Sequence, residues 1–179
     1  MRKIIWVGFV AGVAVLWSGC ETCKPGKPGP IGKYNIGITL DQSLKDSQDM
    51  LVDLIGVNPA SRPSWEAYDM GSYWKPGDPK RRDALDKVTF DLGAGKTLTN
   101  TLSLSDPHWS NWLARGSSHV MVLANTPVPA SEGSKPGNQD RRRQILPLDR
   151  CHWPKGTTTL NLLVQQSGIE ILTPPRPTK

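Results

Sequence analysis

The chain has 179 residues, 21% of them charged, and a formal net charge of +6. Arg2 and Lys3 supply two of those six charges, and the remaining excess is too small to mark a nucleic-acid partner, which requires a basic face with interleaved aromatics. The length fits one domain of ordinary size behind an N-terminal targeting segment.

Arg2 and Lys3 open an apolar, uncharged run from Ile4 to Leu16, and Trp17-Ser18-Gly19-Cys20 follows. A charged head, a short apolar centre and a small-residue cleavage site make up a secretory signal peptide. The run falls short of the about 20 apolar residues that span a bilayer. Leu16 to Cys20 resembles the lipobox of bacterial lipoproteins, with Trp17 where that family has a small aliphatic residue. The resemblance implies diacylglycerol on the Cys20 thiol, removal of residues 1–19, and acylation of the new amino terminus. An ordinary secretory signal with an incidental Cys20 is the alternative. Each buried CH₂ contributes about 0.8 kcal/mol, so two or three acyl chains hold firmly where one is marginal. Glu21, not Asp, follows the anchor; by the family's sorting rule this implies the outer membrane, facing the periplasm.

Residues 20–33 read as a lipidated linker, because Lys24-Pro25-Gly26-Lys27-Pro28-Gly29-Pro30 is too rich in Pro and Gly to fold. Extended at about 3.1 Å per residue, it would hold the domain up to roughly 40 Å from the lipid. With Cys20 acylated, Cys23 and Cys151 remain. In an oxidising compartment they either pair or stay as independent thiols. His108, His119 and His152 lack the local spacing of a metal site, so no metal or other cofactor is expected.

Residues 34–173 carry the domain. Tyr34, Ile36, Ile38 and Leu40 alternate on one side of a half-buried strand. Met50 to Val57 is an apolar run interrupted by Asp53 and reads as a second strand, with a helix over 41–55 as the competitor. Asn58-Pro59 marks a turn. A short helix begins at Pro63-Ser64-Trp65 with Ser64 as its N-cap and ends at Pro76-Gly77-Asp78-Pro79. Trp65, Tyr68, Tyr73 and Trp74 read as a lid on the core, with a partner or ligand surface as the functional alternative. Arg81 to Asp86 suggests a helical turn. Lys87 to Leu92 and Thr97 to Leu104 read as strands around a turn at Gly93 to Gly95.

Asp106-Pro107 has the cap-then-Pro form of a helix start. Trp109, Trp112 and Leu113 then share one face, and Gly116 ends the helix. Ser118 to Ala124 is a strong strand, Pro127 to Gln139 a surface loop, and Arg142 to Leu148 another strand. Thr157 to Gln165 alternates, Ser167-Gly168 turns, and Ile169 to Leu172 returns as the last strand. Residues 174–179 read as a loose tail. Lys80-Arg81-Arg82 and Arg141-Arg142-Arg143 read as solvated surface, with anionic lipid headgroups or an acidic partner as the functional alternative. About eight short strands and two short helices in series give a mainly β chain folded as a single β-sandwich.

Three stretches resemble the outer-membrane lipoprotein family of type VI secretion systems. They are Tyr34 to Leu40 followed by Val57-Asn58-Pro59; Ser118 to Ala124; and Arg143 to Leu148 with Thr159 to Val164 and Gly168 to Leu172. The resemblance implies a transthyretin-like sandwich whose loops hold another envelope protein. The inserts at Pro63 to Pro79 and Asp106 to Gly116 depart from that family. No Gly-x-Ser-x-Gly, His-Glu-x-x-His or phosphate loop occurs, and Gly93-Ala94-Gly95-Lys96-Thr97 reads as a hairpin turn. Asp106 with His108 could form a dyad but is better explained as a cap. The expectation is a non-enzymatic, lipid-anchored assembly protein. A binding module for a ligand or cell-wall glycan, using the four aromatics, is the alternative.

Overall fold

The computed structural model describes Cys23, residues 28–47, 50–127, Lys135 and residues 139–177. The expected signal peptide and Cys20 lie outside these residues, as does most of the 127–139 loop.

Among the described residues, eight strands form two four-stranded sheets packed face to face. The first sheet has β1 (Asn35–Leu40), β4 (Thr99–Leu102), β7 (Thr159–Gln165) and β8 (Gly168–Ile171) in the order β4-β1-β7-β8. The second has β2 (Met50–Val57), β3 (Val88–Leu92), β5 (His119–Ala124) and β6 (Arg143–Pro147) in the order β3-β2-β5-β6. This is the mainly β sandwich expected from the strand patterning. All neighbours are antiparallel except β1 and β7, which run parallel from Asn35↔Thr159 to Leu40↔Val164.

Strand alternation builds the core directly. Ile36, Ile38 and Leu40 of β1 face Val52 and Leu54 of β2, Val120 and Val122 of β5, and Leu160, Leu162 and Val164 of β7. Side chains of this kind each contribute about 1.5–3 kcal/mol when fully withdrawn from water.

The uninterrupted apolar run of β2 has a separate cause: both its faces are covered. Val52 and Leu54 point into the sandwich. Ile55 and Val57 point outward into a second cluster with Trp65, Met70, Tyr73, Met121, Leu123 and Ile145.

That outer cover is a helical insert between β2 and β3. It comprises α1 (Arg62–Glu66), α2 (Met70–Tyr73) and α3 (Pro79–Arg82). With α4 (His108–Ala114) there are four short α-helices among the described residues, not the two expected, and a 3₁₀ turn spans Gln42–Leu44. The first helix starts earlier than Ser64. Its N-cap is Ser61, and Pro63 sits in the first turn, where no N–H is lost. The turn expected at Arg81 to Asp86 likewise begins at Pro79, because Asp78 caps it by accepting from Arg81 N–H at 2.9 Å. Asp69 starts α2, accepting from Gly71 and Ser72 N–H. The strand expected from Thr97 to Leu104 is shorter, spanning only Thr99–Leu102.

The insert before β5 packs by a different device. The α4 helix carries Trp109 and Trp112 into the core, each indole N–H satisfied by a carbonyl, Ser103 O at 2.9 Å and Asp86 O at 3.0 Å. Trp112 lies directly on Gly56 of β2; a Cβ there would stand 2.3 Å from the indole Cγ.

The linker is not free. Cys23 is disulfide-bonded to Cys151, with the two Cα atoms 5.5 Å apart. Ile31 bridges to Asp149, Gly32 N–H donates to Leu148 O, and Arg150 N–H donates to Pro30 O. Gly29 is pressed so close that an added Cβ would lie 2.4 Å from Cys151 Sγ. The roughly 40 Å reach expected for this segment is therefore corrected: Cys23 and residues 29–32 lie against residues 148–151. The tail expected to be loose is also held, at Arg176, whose N–H donates to His152 O at 2.8 Å.

Candidate functional site: the outer face of the second sheet and its cleft

The strand registers place a row of outward-pointing side chains across the second sheet: Thr89, Asp53, Leu123 and Arg143. The next rows are Ile55–Met121–Ile145 and Val57–His119–Pro147. The helical insert covers the first two rows and leaves the third at the edge of an open cleft.

Asp53 and Arg143 are both fully buried. Asp53 accepts from the Tyr73 hydroxyl at 2.8 Å, Arg81 Nε at 2.8 Å and the Thr89 hydroxyl at 2.6 Å. Burial and the adjacent Asp53 carboxylate push the Tyr73 phenol far above its ordinary range, so it stays a donor. Burial works against the Arg81 charge, but the hydrogen bond and charge of Asp53 prevail and raise it further. On β6, Arg143 donates to Trp65 O at 2.9 Å, Tyr68 O at 3.0 Å and Lys135 O at 2.6 Å. The two buried charges thus bind α1, α2 and α3 to the sheet. Groups held in this way are committed to structure, since a buried charge is tolerated only when its hydrogen-bonding capacity is met.

These contacts correct the expectation of two solvated basic clusters in part: Arg82 and Arg141 are exposed, as expected, and Arg81 and Arg143 are not. Arg143 lies in the interior, and Arg81 pairs with Asp53 while its guanidinium stacks 4.5 Å from the Trp74 ring centroid. Lys80 sits 4.5 Å over Trp65. Burial pulls its ammonium below its ordinary range, against the Asp78 charge. Arg142 makes two bonds to the buried Asp140 carboxylate, at 3.0 and 2.8 Å.

The four aromatics assemble, but not as an open surface. Trp65 and Tyr73 are buried edge to face, with centroids 6.1 Å apart, and Tyr73 meets Trp74 at 5.1 Å. Tyr68 and Trp74 are half-buried, and Tyr68 donates to Asp78 at 2.7 Å. As a partner or ligand surface, Trp65 and Tyr73 are therefore corrected: their rings close the second core. Hydrophobic contact there leaves no face for a ligand.

The cleft beside the insert has a volume of about 750 Å³. Ile145, Pro147 and Trp153 line it with Arg62, Glu66, His119 and His152. Arg62 bonds to Glu66 through Nε and to His119 Nε2 through Nη1, the latter at 2.9 Å. A guanidinium can only donate, so Nε2 accepts and Nδ1 carries the proton toward the Ser118 hydroxyl, 2.8 Å away. Burial first, then the Arg62 charge, hold the His119 pKa below its ordinary range, so the ring is neutral at neutral pH. Sequence reading missed this cleft, because its residues come from five separate segments.

Asp106 and His108 do meet, with His108 Nδ1 2.6 Å from Asp106 Oδ1. The same oxygen accepts the His108 backbone N–H at 2.9 Å, but the N-cap of α4 is Pro107, so Asp106 stands one residue before the cap and the cap-then-Pro start expected there is corrected by one position. Among the described residues no three His, Cys, Asp or Glu side chains are grouped to hold a metal ion. No helix among them is long and apolar enough to cross a membrane.

The sequence matches no family model and no curated protein. Solved structures do resemble the fold. One chain of a type VI membrane complex aligns with a TM-score of 0.51 and 15% identity, covering 80% of this chain and 99% of the other. Lip from Serratia marcescens, a membrane-bound component of the type VI secretion system, aligns at 0.48 and 13% identity, covering 80% and 98%. The type VI lipoprotein TssJ1 from Pseudomonas aeruginosa aligns at 0.47 and 14%, covering 84% and 100%. The first of these likenesses extends over nearly the whole of the other chain, and at that identity it is a likeness of fold.

Proposed function

We propose that this chain is a lipid-anchored envelope protein of the outer membrane, facing the periplasm, that holds another protein of a type VI-like secretion complex. The observation that carries the reading is the match of the whole two-sheet body to a chain of a type VI membrane complex. The order Ser18-Gly19-Cys20 behind an uncharged apolar run supports acylation at Cys20 and removal of residues 1–19. The site supports binding over catalysis. Asp53 and Arg143 are occupied in holding the insert, and His119 is held between the Arg62 guanidinium and the Ser118 hydroxyl.

The test is an exchange of Cys20 for Ala in the full chain. The variant should leave the membrane fraction for the soluble one, and crosslinking of the unaltered chain in intact envelopes should recover a secretion-complex protein. An unchanged distribution would refute the anchor. Recovery of no envelope protein would refute the assembly role.

A further inference from the structure

The strand registers give the sandwich two distinct ends. At one end lie the starts of β1, β3, β5 and β7 and the finishes of β2, β4, β6 and β8. The Cys23–Cys151 bond sits at this end, beside the Ile31–Asp149 bridge. The other end carries the turns 41–47 and 93–98.

We infer that the disulfide fixes the orientation of the domain on the membrane, laying its Cys151 end on anionic lipid headgroups. The inference rests on the proposed acylation of Cys20. From Cys20 to the bonded Cys23 there are three peptide units, which reach at most about 11 Å. That is close to one Debye length at physiological salt, about 8 Å. The domain therefore remains within the electrostatic reach of the bilayer surface, and only the end that bears the disulfide can face it.

The chemistry of that end suits the contact. Ile31, 42% exposed, is one of three large apolar side chains left open to solvent among the described residues. Lys33, Arg150, Lys155 and Arg176 are exposed at the same end. Their grouping follows from backbone contacts. Gly32, beside Lys33, packs on the Arg150 side chain. Lys155 lies in the turn closed by Thr157 N–H on Pro154 O, and Arg176 is bonded to His152 O. Of the acidic residues at this end, Asp86 pairs with Arg115, while Asp149 accepts the neutral Cys151 N–H, and its charge is outweighed by the four basic groups. Basic side chains at an anionic surface each raise partition by about fivefold, and a partly exposed Ile can enter the headgroup layer among them.

The test uses the full, acylated protein in vesicles rich in phosphatidylglycerol, in pure phosphatidylcholine vesicles and in detergent. A membrane-impermeant amine reagent reports on Lys33 and Lys155, with Lys45 at the opposite end as control. In the anionic vesicles Lys33 and Lys155 should label at least about fivefold more slowly than in detergent, with Lys45 unchanged. Exchange of both Cys23 and Cys151 for Ser should release that protection while the protein stays on the vesicles. Equal labelling of all three lysines on floated vesicles would overturn the orientation alone. Equal protection in phosphatidylcholine would overturn the headgroup contact. Failure of the unaltered protein to float would overturn the anchor, and the orientation with it.

Discussion

Asp53 and Arg143 occupy one transverse row of the second sheet, separated only by Leu123. Neither contacts the other in that row; each instead reaches upward to the insert. Removing either charge leaves the buried groups that it satisfies in the insert without a partner, at about 1–3 kcal/mol for each such group. His119 gives the pH dependence. Burial and then Arg62 lower its folded pKa, Glu66 opposes them, and His152 adds to the lowering. As pH falls below about 6.5 the unfolded chain takes up the proton first. The stability that the neutral ring contributes is therefore complete above that value and is lost on the way down to the folded pKa. The thermal midpoint should fall between about pH 7 and pH 5, and His119→Gln should flatten that slope. An identical slope in the variant would exclude His119 as its source.

Elements meet here through one close backbone approach. The α4 helix lies against β2 because Gly56 has no side chain, which lets the Trp112 indole rest on the strand. Gly56→Ala places a methyl group 2.3 Å from the Trp112 Cγ, so the ring and its bond to Asp86 O must shift. Overpacking of this kind costs about 1–3 kcal/mol. Denaturant unfolding should show that loss for Gly56→Ala alone. In the Trp112→Gly background, which removes the Cβ, Cγ and Cδ1 atoms that the methyl meets, the added methyl should cost far less, and an additive double variant would refute the contact. The insert depends in contrast on polar anchoring: three short helices of four or five residues are too short to persist alone. Their stability comes from Trp65, Met70 and Tyr73 on the sheet and from the two buried charges beneath them.

At the scale of the molecule, one covalent link joins residues 128 positions apart and holds the N-terminal segment to the loop before β7. Cross-links of that span typically contribute about 2–4 kcal/mol by restricting the unfolded chain. Reduction, or Cys151→Ser, should lower the thermal midpoint by about 5–15 °C for a chain of this size. The two sheets should remain, since their shared core lies elsewhere. A midpoint that does not respond to reductant would contradict the link. The same bond holds Cys23 against the loop before β7, in place of the long free tether expected there.

The strands were legible in the sequence because side-chain alternation is local. Tyr34 to Leu40 and Thr157 to Gln165 each record which side is buried. The Trp109–Trp112 stripe records a helix face in the same way. Proximity across the chain leaves no such local mark. Whether Cys23 meets Cys151, whether Arg143 points to water or to three carbonyls, and whether Trp65 is a lid or a surface depend on segments up to 128 residues apart. The burial of both faces of β2 shows the difference. Its apolar run marks a strand covered on two sides, but only the packed structure supplies the second cover, a helical insert fastened by Asp53 from below.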